Sequence, residues 1–263
     1  MVIGDWFGVR SVWHDRCGVP LSQSASIARS IDSLQSRITN ESRIDNHQSA
    51  MPLPKTIPIF PLPNVVLFPN VFLPLHIFEP RYRAMVKDAL ESDRIIGMVL
   101  LRPGFEAEYA GRPPVYPIGC AGLITHSETL PDGRFNIVLR GLEKFRMTGE
   151  DTARPYRLAH IEVLADATPD IDRTIMRHHR QRLESLLATA MERRNIDPKL
   201  PPNVSDHDLV NALAQYLALE PIERQALLEC DGVLSRCSAL IELLEMKTMM
   251  APGDGGWTSG RLH

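Results

Sequence analysis

Hydrophobic positions along the chain follow three rhythms. From Ile57 to Leu73 they come in short apolar runs, Ile57-Pro58-Ile59-Phe60, Val65-Val66-Leu67-Phe68 and Val71-Phe72-Leu73, with prolines at 58, 61, 63, 69, 74 and 80. A helix cannot run through that spacing, because each proline removes a backbone donor and clashes with the preceding turn. Residues before proline are pushed to extended conformations. These runs predict three short strands with corners between them, the prolines falling at strand starts, edges or bulges.

At Glu79-Pro80 the rhythm changes. Pro80 suits the first position of a helix, and Tyr82, Met85, Val86, Ala89 and Leu90 then recur at helical spacing on one face. Arg94 to Arg102 is nearly unbroken apolar sequence, the signature of a central strand buried on both faces. Phe105 to Pro117, with Gly111, Pro113 and Pro114, predicts a loop. Gly119–Leu130 and Phe135–Met147 flank Pro131-Asp132-Gly133, which predicts a hairpin because glycine tolerates positive φ. Gly141 predicts a bend or bulge, and Tyr156–Ala165 a further strand.

Beyond Thr168-Pro169-Asp170 the period becomes helical. Ile171, Ile175, His179, Leu183, Leu186, Leu187, Ala190 and Met191 predict one stripe of a long helix, and Asn195–Asn203 a proline-rich connection. Ser205 and Asp208 stand as a capping box before Leu209, Val210, Leu213, Tyr216 and Leu217. Pro221 opens another helix. Asp231 caps a last one that buries Val233, Leu234, Cys237, Leu240, Ile241 and Leu244. Periodicity alone gives a mixed β lobe with one helix, then helices.

Two stretches carry a family resemblance. PLPNVVLFPNVFLPLHIFEPRYRAMV and, later, GCAGLITHSETLPDGRFNIVLRGLEKFRM resemble the N-terminal substrate-binding domain of the Lon protease, in its stand-alone wording, over about residues 55 to 245. The resemblance implies an α+β fold, a PUA-like twisted β pseudo-barrel lobe over 51–168 followed by a helical bundle over 169–250. Residues 1–50 are rich in Ser and Arg and contain no lysine. They read as an extension that is disordered or precedes the natural start at Met51; the Gly-rich tail 251–263 reads as disordered.

Composition narrows the function. The 263 residues are 44% hydrophobic and 23% charged, with a net charge of −3 and no basic block. That disfavours non-specific nucleic-acid binding. No apolar run approaches the ~20 residues of a membrane span, and residues 1–50 lack the apolar core of a secretory signal. Cys17, Cys120, Cys230 and Cys237 are too scattered for a zinc site and fit free thiols in a cytoplasmic protein.

Catalytic signatures are absent from the sequence. There is no G-x-x-x-x-G-K-[ST], no H-E-x-x-H and no G-x-S-x-G. His178 and His179 are adjacent and diverge on a helix. His76, Glu79, Arg81 and Arg83 form a polar group for which helix capping and ion pairing are the better account, Glu79 sitting at a helix N-terminus. We expect no enzyme, metal or cofactor.

The resemblance implies a protein- or peptide-binding module in protein quality control, with unfolded polypeptides, a protease or a chaperone as partners. Exposed aromatics rimmed by polar residues mark such surfaces. Phe68, Phe72 and Phe78 are candidates in the first stretch, Phe60 with them, and Phe105, Tyr109 and Tyr116 in the 104–117 loop. RNA binding is the alternative, resting on Arg134, Arg140, Lys144 and Arg146, a cluster interrupted by Glu143.

Overall fold

A computed structural model describes residues 53–105, 111–164, 173–192 and 204–250. Residues 1–50, Tyr109, Ile171, the 195–203 connection and the 251–263 tail lie outside them. The elements are β1 (Thr56–Leu62), β2 (Phe72–Ile77), α1 (Pro80–Leu90), β3 (Ile95–Leu100), β4 (Ile118–Thr129), β5 (Phe135–Asp151) and β6 (Arg157–Leu164), then α2 (Arg173–Glu192), α3 (Asp206–Tyr216), α4 (Pro221–Glu229) and α5 (Gly232–Met250).

The six strands form one sheet in the order β2-β5-β4-β3-β1-β6, and β5 also pairs with β6. That second pairing closes five strands into a ring. The 17-residue β5 makes it possible: its first half carries β2 on one edge, and its second half carries β6. β1 and β3 are parallel and the other pairs antiparallel. Each ring strand contributes inward residues, Ile57 and Ile59, Ile95 and Val99, Ala121, Phe145 and Ala159, to one small core. This is the expected pseudo-barrel.

Alternate residues of the same strands face outward into a larger core. Phe60, Met98, Ile124 and Leu139 pack there with Tyr82, Met85 and Val86 of α1 and with Leu183, Leu209, Leu213, Cys237 and Leu240 of the helical lobe. The cluster is continuous from barrel to helices. Polar ties reinforce it: Lys144 Nζ donates to Cys230 O at 2.6 Å, and Gln225 Nε2 donates to Ile118 O at 2.9 Å.

Local chemistry explains the helix starts. Pro80 opens α1 behind Glu79, whose carboxylate takes Arg81 Nε at 3.0 Å. Ser205 Oγ accepts from Asp208 N at 3.1 Å and donates to Asp208 Oδ2 at 2.7 Å. Pro221 follows Glu220, whose side chain and that of Glu223 complete a capping box. At the hairpin, Gly133 has φ +77°; farther along, the register shift between Cys120↔Lys144 and Gly122↔Gly141 puts an extra residue in β5 just after Gly141.

Two expectations change. Val65–Phe68 is not a strand but a buried irregular loop. Pro63 and Pro69 bracket it, and helix side chains take up its backbone: Phe68 N donates to Gln215 Oε1 at 3.2 Å, and Asn211 Nδ2 donates to Pro69 O at 3.1 Å. In α2 the buried stripe runs through Met176, Leu183 and Leu187, while Ile175 is exposed. Arg180 holds the intervening place because its guanidinium reaches Asp206, Glu184 and Val204 O, so a count of apolar residues alone sets the phase wrongly.

Candidate functional site

β2 ends the strand order, so its outer edge has no neighbouring strand among the described residues. Which backbone groups face outward follows from one contact. Gly141 N donates to Val71 O at 2.9 Å, which turns Val71 toward β5. Backbone direction alternates along a strand paired antiparallel, so Leu73, Leu75 and Ile77 also bond toward β5. Phe72, Pro74 and His76 turn outward. Pro74 loses nothing there, since it has no N–H to donate. The Tyr216 hydroxyl donates to Phe72 O at 3.0 Å and covers that end of the edge. Pro74 C=O and the His76 N–H and C=O face outward beyond it.

Side chains alternate in the other direction. Leu75 and Ile77 are buried in the main core with Leu73 packed against them. Phe72, Pro74 and His76 are half-buried, and Phe78 is 58% exposed. These four form one stripe, with the His76 and Phe78 rings stacked at 6.3 Å. In register beside them on β5 lie Arg140, Val138 and Asn136.

A hydrogen-bonded chain holds the stripe at the hairpin end. Arg134 Nη1 lies 3.3 Å from His76 Nε2. An arginine can only donate, so Nε2 accepts and the ring proton sits on Nδ1, which donates to Asn136 Oδ1 at 2.8 Å. Asn136 Nδ2 donates to Glu128 Oε2 at 2.9 Å. Arg134 is anchored by Asp132, Nε to Oδ2 at 2.6 Å. The side-chain hydrogen bond from Arg134 holds the Asp132 carboxyl below its usual range. Arg83, from α1, lies against Gly133 in the same turn; a Cβ there would meet Arg83 Nη2 at 2.2 Å.

Three ionisable groups are pushed well above their ordinary values. The large upward shifts are Tyr156 and Tyr216 to about 12 and the Cys237 thiol to about 11, and burial is the first cause of each. Among the described residues no group of three or more His, Cys, Asp or Glu could hold a metal ion, and no helix is long and apolar enough to cross a membrane.

The structure sets Phe72 and Phe78 on one stripe along β2 and the other candidates elsewhere. Phe68 is fully buried, with Arg236 5.9 Å from its ring centroid, and offers no surface. Phe105 and Tyr116 are half-buried, with Arg102 5.7 Å from the Tyr116 ring centroid. Tyr116 precedes the far end of β4, and the strand path from there to Thr129 beside the hairpin tip is about 40 Å at ~3.3 Å per residue. Tyr109 lies outside the described residues. The sequence does not mark Pro74 or Tyr216 as surface groups, and it places His76 only in a polar group with Glu79, Arg81 and Arg83. The alternation Phe72, Pro74, His76, Phe78 was the available signal. Of the basic cluster, Lys144 is buried on Cys230 O, which leaves Arg134, Arg140 and Arg146.

Comparison with known proteins gives a consistent result. The family model described as "ATP-dependent protease La (LON) substrate-binding domain" matches residues 56–246. A "Lon protease" of Cytophaga hutchinsonii is 26% identical over 205 residues, 75% of this chain and 25% of that protein. A "Lon protease 2" of Syntrophobacter fumaroxidans is 30% identical over 184 residues, 67% of this chain and 22% of that protein. The chain thus spans about a quarter of the length of these curated relatives. The N-terminal domain of Mycobacterium avium complex Lon protease is alike in fold, with a TM-score of 0.52 and 18% identity over 73% of this chain and 98% of that one.

Proposed function

The chain belongs to the LON substrate-binding domain family, and from that membership we propose that it recognises polypeptide, without catalysis, on the outer face and edge of β2. The observation that carries this reading is the Phe72, Pro74, His76, Phe78 stripe on a strand with no outer neighbour among the described residues. A half-apolar face rimmed by Arg134, Arg140 and Glu128 has the make-up of a binding patch. An open edge adds main-chain hydrogen bonds to any extended segment that lies along it. The clients are unfolded or exposed segments, and the setting is protein quality control in the cytoplasm, beside a protease or chaperone. The burial of Lys144 weakens the RNA alternative, because a phosphate-binding surface needs accessible cations.

A titration tests it. The full chain is added to a fluorescently labelled, permanently unfolded polypeptide and anisotropy is followed. The Phe72→Ala/Phe78→Ala double variant, with its circular dichroism unchanged, is expected to bind about tenfold more weakly, as loss of aromatic anchors does. Equal binding by the parent and the double variant contradicts the assignment.

A further inference from the structure

We propose that the segment this surface accepts is an extended strand of about six residues, apolar in the middle and acidic at both ends. The inference rests on the polypeptide-binding reading above and specifies the ligand of the same site. The edge itself has two bounds. Tyr216 occupies Phe72 O at one end, and the 130–134 turn, where Gly133 N bonds Leu130 O, stands at the other. Between them Pro74 C=O and the His76 N–H and C=O can pair with an incoming strand, and the six steps from Phe72 to Phe78 span about 20 Å.

Charge marks the two ends. Arg140 stands in register with Phe72. It is exposed, and its Nη2 donates to the neutral Asn70 Oδ1 at 3.3 Å. At the other end Arg83 lies on Gly133. Neither Arg83 nor Arg140 has an acidic partner among the described residues. Arg134, next along the chain from Gly133, already shares its charge with Asp132. The middle has the opposite character. Both ring nitrogens of His76 are taken up in its hydrogen-bonded chain, Pro74 and Val138 are apolar, and Glu128 stands behind Asn136 with its carboxylate on that amide. An acid beside His76 lies on the side of the sheet that carries Glu128, level with Asn136, whereas an acid at either end lies nearest an arginine that has no acidic partner among the described residues.

The test uses three synthetic peptides with one shared apolar centre and flanking Asp, Ser or Lys, titrated with the full chain at low and high salt. The Asp-flanked peptide is expected to bind about tenfold tighter than the Ser-flanked one at low salt, two exposed ion pairs being worth up to ~1 kcal/mol each. The advantage should shrink in high salt. Arg83→Ser and Arg140→Ser should each cost the Asp-flanked peptide about threefold more than they cost the Ser-flanked one. Equal affinity for Asp and Ser flanks, with both lost in Phe78→Ala, overturns the acidic-end inference and leaves polypeptide binding standing. No binding of any peptide, or binding indifferent to Phe72 and Phe78, overturns both. Displacement of the Asp-flanked peptide by single-stranded RNA overturns the proposal in favour of a polyanion surface.

Discussion

The Arg83 guanidinium rests on the α-carbon of Gly133, so closely that a Cβ at 133 would stand 2.2 Å from Nη2. Arg83 lies near the end of the first of the two stretches that carry the family resemblance, and Gly133 lies in the turn of the second. His76 and Arg134 join the same two stretches at 3.3 Å. Residues some fifty positions apart thus build one corner, and the exposed Phe78 sits on it.

Gly133→Ala is expected to cost about 1–2 kcal/mol, mainly because an alanine must adopt the +77° φ of the turn. The clash falls on the far end of a flexible side chain, so it adds little. In an Arg83→Ala background that added part disappears. Chemical denaturation of the two single variants and the double variant should therefore give a sum larger than the double-variant loss.

Gly141→Ala is expected to be worse. A Cβ at 141 would lie 2.0 Å from Phe68 O, a backbone atom of the loop that leads into β2. Neither partner can move without disturbing the bonds between Asn70, Val71 and Gly141. We expect a loss of about 1–3 kcal/mol together with weakened polypeptide binding, because the edge strand shifts. Denaturation and the anisotropy titration, run on the same preparation, check both.

Among the described residues Arg236 is the largest fully buried side chain. Its Nη1 donates to Asn211 Oδ1 at 2.6 Å and its Nε to Leu227 O at 3.0 Å, and Asn211 in turn holds Pro69 O. Arg236→Ala leaves these acceptors unpaired and opens a cavity, at an expected cost of about 3 kcal/mol or more. Urea unfolding measures it. Hydrogen exchange in the 64–71 loop should rise as well.

Two tyrosines should ionise late. Tyr156 is buried and donates to Asp88 Oδ2 at 2.6 Å, and burial followed by that bond pushes it up to about 12. Tyr216 is 39% exposed as a residue while its hydroxyl donates to Phe72 O, and burial pushes it up to about 12 as well. Their unfolded value is about 10. The folded chain therefore binds more protons between about 10 and 12, and stability present below that window falls as pH rises through it. Tyrosinate absorbance in an alkaline titration should show the late steps; Tyr156→Phe and Tyr216→Phe should each remove one.

Much of this was legible from local signals. Pro80, the Pro131-Asp132-Gly133 turn, the Ser205 cap and Pro221 each act within one turn of chain, and each stands where its chemistry puts it. The unbroken apolar run at 95–100 announced a central strand. What the sequence concealed depends on distant partners. Ring closure needs the second half of β5 to find β6 and β1 to find β3, and no local pattern encodes a pairing. Phe68 looked like Phe72 and Phe78 along the chain. Its burial comes from Gln215 and Arg236, about 150 and 170 residues away. Phe72 and Phe78 share a face because six is an even number of strand residues, a parity that was readable once β2 was known to be an edge.

The central claim is that polypeptide is held on the outer edge and face of β2. Backbone hydrogen exchange of the full chain, read by mass spectrometry with and without saturating unfolded polypeptide, addresses it most directly. Added protection concentrated in residues 72–78, including the outward His76 amide, is the result this account predicts. Unchanged exchange there, with protection confined to the 104–117 loop or to the helical lobe, would contradict it.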